Sequence, residues 1–415
     1  MEPAPRPVVI DPSGRDIPAE AARLRARGPA ALVELPGHVT AWAVTDPGLL
    51  RDLLTDPRVS KDPRRHWAAW ARGEITPAWP LFTWVAVTNM FTAYGGDHRR
   101  LRKLVSAAFT PRRIEALRPR IEAAAAELLD GLAATPAGEV VDLRDAYCYP
   151  IPIRVICELF GIADQDTRTE LRALVDGIFN TALDAQDAAA TFQAMHTVLS
   201  DLIALKRRTP GDDLTSELIA AREENGSRLT EGELVDTLLL MISAGHETTG
   251  NLLDNAAAAL LSSPDQLALL RAGSASWSDA IEESLRFQPP VANLPLRYAV
   301  EDIEVGGVRF KKGEAILVAY AATGRDPAVH GPDADRFDIT RVSKEHLAFG
   351  HGVHYCMGAA LARLEASIAL PAVFERFPDL ALAVPPDALL PVKSFISNGH
   401  RGLPVHLTGP RTATA

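Results

Sequence analysis

Cysteine is scarce in this 415-residue chain, which has only Cys148, Cys157 and Cys356. So small and odd a set does not make a disulfide framework, and it fits a reducing, cytoplasmic compartment. No C-x-x-C pair occurs, which argues against a cysteine zinc site. Positive charge is in short supply too: 43 Lys and Arg stand against 53 Asp and Glu, a net charge of -10. Non-specific nucleic-acid binding needs a basic footprint, so no nucleic-acid partner is expected. Long apolar runs are missing. Nothing approaches the roughly 20 residues that span a bilayer, so no membrane anchor is expected. The stretch from Met1 to Arg27 is rich in Pro and charge and lacks the apolar core of a signal peptide. Internal repeats, low-complexity blocks and interdomain linkers are absent as well, so residues 1–415 read as a single domain.

What is present is mostly helical pattern. Ile114, Leu117, Ile121 and Leu128 recur at helical spacing in an Ala/Glu-rich segment. Residues 166–208 read as two helices broken near Asp184 to Asp187. Thr230 and Glu233 form a capping-box pattern, with Leu229 and Leu234 as its hydrophobic staple, and predict a long helix reaching about Leu261. Strand signals are fewer, at Val39 to Val44 and Leu294 to Val318, where β-branched residues alternate with Gly-Gly and Lys-Lys-Gly turns. The fold class is therefore mainly α with a small β portion. Cys148 and Cys157 lie in an apolar stretch and read as buried small hydrophobes.

The third cysteine has a different setting. It lies in Phe349-Gly-His-Gly-Val-His-Tyr-Cys-Met-Gly358, just before the helical run Ala359 to Glu365. Cys356 is thus placed at the mouth of a helix, where unpaired N–H groups and the helix dipole favour a thiolate. Gly350 and Gly352 let the backbone bend tightly, and Gly358 leaves room for something flat beside the first turn. Phe349 is placed to shield the sulfur. An electron-rich thiolate in a dry nest suits iron and pushes electron density toward the metal. A buried cysteine in a Gly-rich turn is the competing reading, but it gives no reason for Phe, Gly, His, Cys and Gly to fall together. The segment resembles the cysteine-ligand loop of the cytochrome P450 family, F-x-x-G-x-H/R-x-C-x-G, without a mismatch. Tyr355 and Met357 fill its variable positions. The resemblance implies a helix-rich triangular prism with a small β-sheet portion, heme b (iron protoporphyrin IX) as cofactor, and Cys356 as the metal ligand.

A second motif, Ala244-Gly-His-Glu-Thr-Thr249, sits mid-way along the long helix. Gly245 and Gly250 each weaken a helix by about 1 kcal/mol relative to Ala, and a missing side chain would let a ligand lie against the backbone. Glu247 and Thr248 are polar residues between strongly apolar flanks, so they need partners or a task. The stretch resembles the family's oxygen-activation motif, A/G-G-x-D/E-T-T. By that resemblance Thr248 hydrogen-bonds dioxygen or its waters, Glu247 gates proton delivery, and Ala244 and Gly245 border the heme. His246 fills the variable position and is read as structural.

Glu283 and Arg286 share a helical face. They resemble the family's E-x-x-R pair, and Arg336 would complete a mostly buried ionic network under the cysteine loop. Cations for the heme propionates are implied at His98, Arg102, Arg297 and His354. Arg99, Arg100 and Lys103 read as solvated neighbours that form part of a basic patch for an acidic electron donor.

The resemblance covers nearly the whole chain. The segments Ser60 to Trp67 and Asn89 to Tyr94 look like those of soluble actinobacterial members known for hydroxylating steroids and macrolides. Pocket contacts are placed by position at Met90, Phe179, Met241, Ala244, Val291, Leu294 and Phe395, a mostly apolar set that calls for a large apolar ligand. A steroid is the first expectation, and a macrolide or related polyketide is the second. Electrons from NAD(P)H would arrive through a ferredoxin reductase and a ferredoxin, O2 would be the co-substrate, and the chain would act as a monomer. A non-catalytic heme carrier or recruitment protein is the competing function, and intact Glu247 and Thr248 argue against it. The same pair argues against a peroxide-driven enzyme.

Overall fold

A single helix, Glu231–Ser262, is the axis around which the rest is packed. Its start follows from local chemistry: the Thr230 side chain accepts the Glu233 N–H, and Glu233 reaches back to the Thr230 N–H. Leu229 and Leu234 join the same apolar cluster. The helix is buried on nearly every side, as befits a central element rather than a surface one. Helices Pro150–Leu159, Ala185–Arg208, Trp277–Phe287 and Ala359–Arg376 pack directly on it. The computed structural model describes residues 6–106, 109–221 and 228–408. The first five residues of the Pro-rich opening stretch lie outside these.

The patterned segments fall close to where the sequence put them. Helices Gln165–Phe179 and Ala185–Arg208 meet at a break just before Ala185, where Asp184 caps the second. The segment containing Ile114 to Leu128 is two helices, Pro111–Glu115 and Arg118–Ala133, because Pro119 starts a new first turn. Val39–Val44 and Leu294–Ala299 belong to a six-stranded sheet. Its spatial order is Val8–Val9, Ala30–Leu35, Val39–Val44, Ala315–Val318, Leu294–Ala299, Val59–Ser60. Ile303–Val305 and Val308–Phe310 form a separate hairpin across Gly306 and Gly307, both at positive φ. The described residues are thus mainly helical with small sheets. Cys148 and Cys157 are both buried.

One expected relationship is corrected. Glu283 and Arg286 are wholly removed from solvent and form a two-pronged pair, both contacts at 2.7 Å. Arg336 does not join them. Its side chain is 62% exposed and approaches Asp265 at 3.8 Å, and only its carbonyl accepts from Arg286. The cation that approaches Glu283 is Arg341, at 3.7 Å, with 9% of its side chain exposed. A long guanidinium can leave the network if its backbone supplies an oxygen, because the buried Arg286 needs acceptors rather than another cation.

A cavity over Cys356 as the candidate active site

The cysteine loop is a chain of tight turns. Gly350 and Gly352 take φ of +71° and +70°. A Cβ on Gly352 would stand 2.6 Å from the Leu54 carbonyl oxygen, so both conformation and space demand glycine there. The turn brings the Cys356 N–H to the Phe349 carbonyl at 2.9 Å. Gly358 is the N-cap of helix Ala359–Arg376. The sulfur opens onto an internal cavity of about 300 Å³. It is accessible from that cavity although deep within the protein. Burial pushes the Cys356 thiol up, while the Gly358 N–H, Arg102 and the Ala359 N–H pull it down. The net direction is up. The donors moderate a desolvation cost that a bound metal cation would remove.

Across the cavity stand Ala244, Gly245, Thr248 and Thr249 of the long helix. The Thr248 hydroxyl donates to the Ala244 carbonyl at 2.6 Å and borders the cavity. Glu247 is not among the lining residues. Its carboxylate is buried and takes the Tyr149 hydroxyl, the Asn251 amide at 3.0 Å and the Ser397 hydroxyl. Arg144 donates to Tyr149 and to Asp254, the latter at 2.9 Å, and Asp254 also takes the His400 N–H at 2.8 Å. The two glycines serve protein packing: a Cβ on Gly245 would meet Ile156 at 2.9 Å, and one on Gly250 would meet the Tyr149 ring at 2.6 Å. His246 is fully buried, edge-on to Tyr149, with neither ring nitrogen bonded to any described residue. Burial, Arg172 and Arg144 push it down to about 3, so it is neutral and structural.

Positive charge gathers at one edge. Arg102 and Arg297 line the cavity, and Arg102 also donates to the Tyr355 carbonyl at 2.7 Å. His98 packs on His354 with ring centroids 4.1 Å apart. Burial and the charges of Arg102, Arg297 and Lys61 push His98 down to about 4. His354 is driven down by burial and by Arg297 and Lys61. An acidic group bound at this edge would oppose both shifts. Sequence reasoning passed over Lys61, which is 3% exposed and lines the same edge. A lysine in a Ser-Lys-Asp-Pro turn carries no signal of burial. Of the flanking arginines, Arg99 and Lys103 are exposed, whereas Arg100 is tied to Glu233 in the long helix's capping box.

Six of the seven expected pocket residues line the cavity: Met90, Phe179, Met241, Ala244, Val291 and Leu294. Phe395 does not. It is fully buried, its N–H donates to the Thr181 hydroxyl, its carbonyl accepts from the Asn293 amide, and Ile396 lines the cavity instead. An aromatic ring at that position sits in the core because its backbone is fastened on both sides. Trp84, Ile178 and Phe192 complete the apolar wall.

The donor set fits a flat, apolar group carrying two carboxylates. The cavity separates a cysteine sulfur from a helix face. Its edge has fixed cations, and Arg297 Nε and His98 Nε2 are buried there without partners among the described residues. Comparison with known proteins decides what group that is. The sequence profile of the cytochrome P450 family matches residues 84–273 and 278–385. The chain is a cytochrome P450. CYP154A1 from Streptomyces coelicolor A3(2) superposes on this P450 with a TM-score of 0.92 at 56% identity, covering 96% of this chain and 100% of that one. The testosterone-bound CYP154C4 from a Streptomyces species gives 0.93 at 46% identity, covering 98% of this chain and all of the other. The 2-hydroxy-5-methyl-1-naphthoate 7-hydroxylase of Streptomyces carzinostaticus is 47% identical over 99% of both chains. The fold is that of the family. This P450 is a monooxygenase with heme as its cofactor, acting on a small molecule with O2 and redox partners. None of its described helices is long and apolar enough to cross a membrane.

Proposed function

We propose that this P450 hydroxylates a large apolar molecule, a steroid first, in the cytoplasm, with electrons from a ferredoxin and its reductase. Bound heme supplies the iron centre at which dioxygen is activated and one oxygen atom is passed to a C–H bond. In this reading Cys356 would ligate the iron, Phe349 and Gly358 would flank the sulfur, and Ala244 and Gly245, across the cavity, would border the heme. Arg102 and Arg297 would hold the propionates by charge, with His98 and His354 beside them.

Thr248 keeps a hydroxyl at the cavity wall, where it can fix a water or the oxygen substrate. Glu247 holds the proton supply one layer back, behind the wall. Protons must then pass from the Glu247 carboxylate to the Thr248 side of the helix. The observation that carries the substrate reading is the lining itself: Met90, Phe179, Met241, Val291 and Leu294 offer apolar contact, while the buried Ser243 hydroxyl has no partner. Such a wall orients a rigid apolar body with few polar handles. The testosterone-bound relative supports the same class. Exposed Arg99 and Lys103 suit an acidic electron donor, with reduction that slows as salt rises.

Two measurements test this. Reduced protein with carbon monoxide should give the red-shifted Soret band of a thiolate complex, and Cys356→Ser should lose it. A wild type without the band would end the heme-thiolate reading. A panel of steroids and macrolides is then titrated for displacement of the water on the iron. Steroids should respond. Silence from all steroids with a response from macrolides would transfer the assignment to the polyketide class.

A further inference from the structure

The cation passed over by the sequence has no counter-ion. Lys61 makes no hydrogen bond or ion pair with any described residue. Its ammonium lies 3.4 Å from the centre of the Phe91 ring, a contact that softens desolvation without neutralising the charge. It borders the cavity. Burial first, and then the charge of Arg297, push the Lys61 ammonium well down from the ordinary lysine range. Arg102 and Arg297 stand along the same edge. The lining's one acid, Glu365, is buried and pushed up to about 8, so it brings no negative charge at neutral pH. A buried charge without a partner costs several kcal/mol. An anion that enters the cavity at this cation-rich edge would supply the missing counter-charge and keep Lys61 protonated.

We propose that Lys61 is a carboxylate-binding residue, a third fixed cation beside Arg102 and Arg297. The proposal rests on the heme reading, because the carboxylate has two sources. One is a heme propionate. The other is a carboxylate on the substrate, which would make an organic acid of the right shape a better ligand than its neutral counterpart. The Phe91 ring holds the ammonium at a fixed height, so the contact is preorganised rather than recruited from solvent.

The test uses the heme-loaded protein with Lys61→Met, which keeps the chain length packed on Phe91, and Lys61→Arg, which keeps the charge. The wild type's carbon monoxide band is the control. Its absence would refute the heme reading and leave Lys61 nothing to bind. Heme transfer to excess apomyoglobin, the iron's reduction potential, and spectral titration with 1-naphthoic acid against its methyl ester are then measured. If the partner is a propionate, Lys61→Met loses heme on the order of tenfold faster. Its potential also falls, since removing a nearby cation favours the oxidised iron, and Lys61→Arg restores both. If the partner is a substrate carboxylate, heme transfer is unchanged and wild type's preference for the acid over the ester disappears in Lys61→Met. Unchanged heme transfer, potential and acid preference in Lys61→Met, with the control band intact, would overturn the proposal alone.

Discussion

The Tyr149 hydroxyl donates to Glu247 from behind the long helix, on the side away from the cavity that Thr248 borders. The acid and the alcohol are adjacent in sequence but occupy two compartments. Tyr149 links the acid to Arg144 and, through Arg144, to Asp254. Tyr149→Phe removes one hydrogen bond to the carboxylate, worth about 1 kcal/mol, or roughly fivefold in any equilibrium that depends on it. We expect peroxide released per NAD(P)H consumed to rise by about that factor, with the carbon monoxide band intact. Unchanged coupling would leave Tyr149 a packing residue only.

The same tyrosine gives Gly250 its reason. A Cβ there would stand 2.6 and 2.7 Å from two atoms of the Tyr149 ring. Helix propensity favours Gly250→Ala by about 1 kcal/mol, but overpacking opposes it by roughly 1–3 kcal/mol. The second effect wins, and Gly250→Ala should lower the urea midpoint. Gly131, exposed in helix Arg118–Ala133 with nothing within 4 Å of an added Cβ, is the contrast. Gly131→Ala should raise the midpoint, gaining roughly 0.5–1 kcal/mol.

The buried pair Glu283 and Arg286 gives a sharper contrast. Glu283 accepts from Arg286 twice and from the Asp338 N–H at 2.8 Å, and Arg341 stands 3.7 Å away. Glu283→Gln leaves Arg286 buried without its counter-charge and should cost roughly 3–5 kcal/mol. Arg341→Ala should cost roughly 1–3 kcal/mol, since it also removes bonds to the His330 and Asp333 carbonyls, both at 2.8 Å. Arg336→Ala, an exposed side chain, should stay within about 0.5 kcal/mol. Equal losses for Arg336 and Arg341, read from urea unfolding followed by tryptophan fluorescence, would place Arg336 back in the buried network.

These contrasts mark where the sequence was legible. The capping box at Thr230 and Glu233 and the break before Ala185 are local events, written in a few consecutive residues. The Cys356 loop was legible for the same reason: its turns need glycine where glycine stands. Arg341 in place of Arg336, Ile396 in place of Phe395, and the burial of Lys61 were not. Each depends on which of two neighbouring side chains turns inward, and that is decided by partners far along the chain. Arg286 reaches carbonyls at Gly324, Ala334 and Arg336, and Phe395 is fastened by Thr181 and Asn293. No spacing rule encodes such choices. The downward push on His98 was hidden likewise, because the cations that exert it come from three separate segments.

Glu365 carries the last prediction. It lies one turn beyond Leu361 on the helix that follows Cys356, 2% exposed, with one carboxyl oxygen lacking any partner. Burial alone pushes its carboxyl up from 4.5 to about 8. The folded protein therefore holds a proton that the unfolded chain releases near 4.5. The associated stability is fully present below that value and is lost as pH rises through about 8. A shift of this size corresponds to roughly 3–5 kcal/mol between the two limits. Other groups contribute to the total slope, so the measurement is the difference between wild type and Glu365→Gln, which cannot titrate. Urea midpoints of both, taken at about pH 6 and about pH 9, should show wild type losing more on the alkaline step. Parallel losses would mean that the Glu365 carboxylate finds a partner when it ionises, and the cavity wall beneath the cysteine would then hold a charge after all.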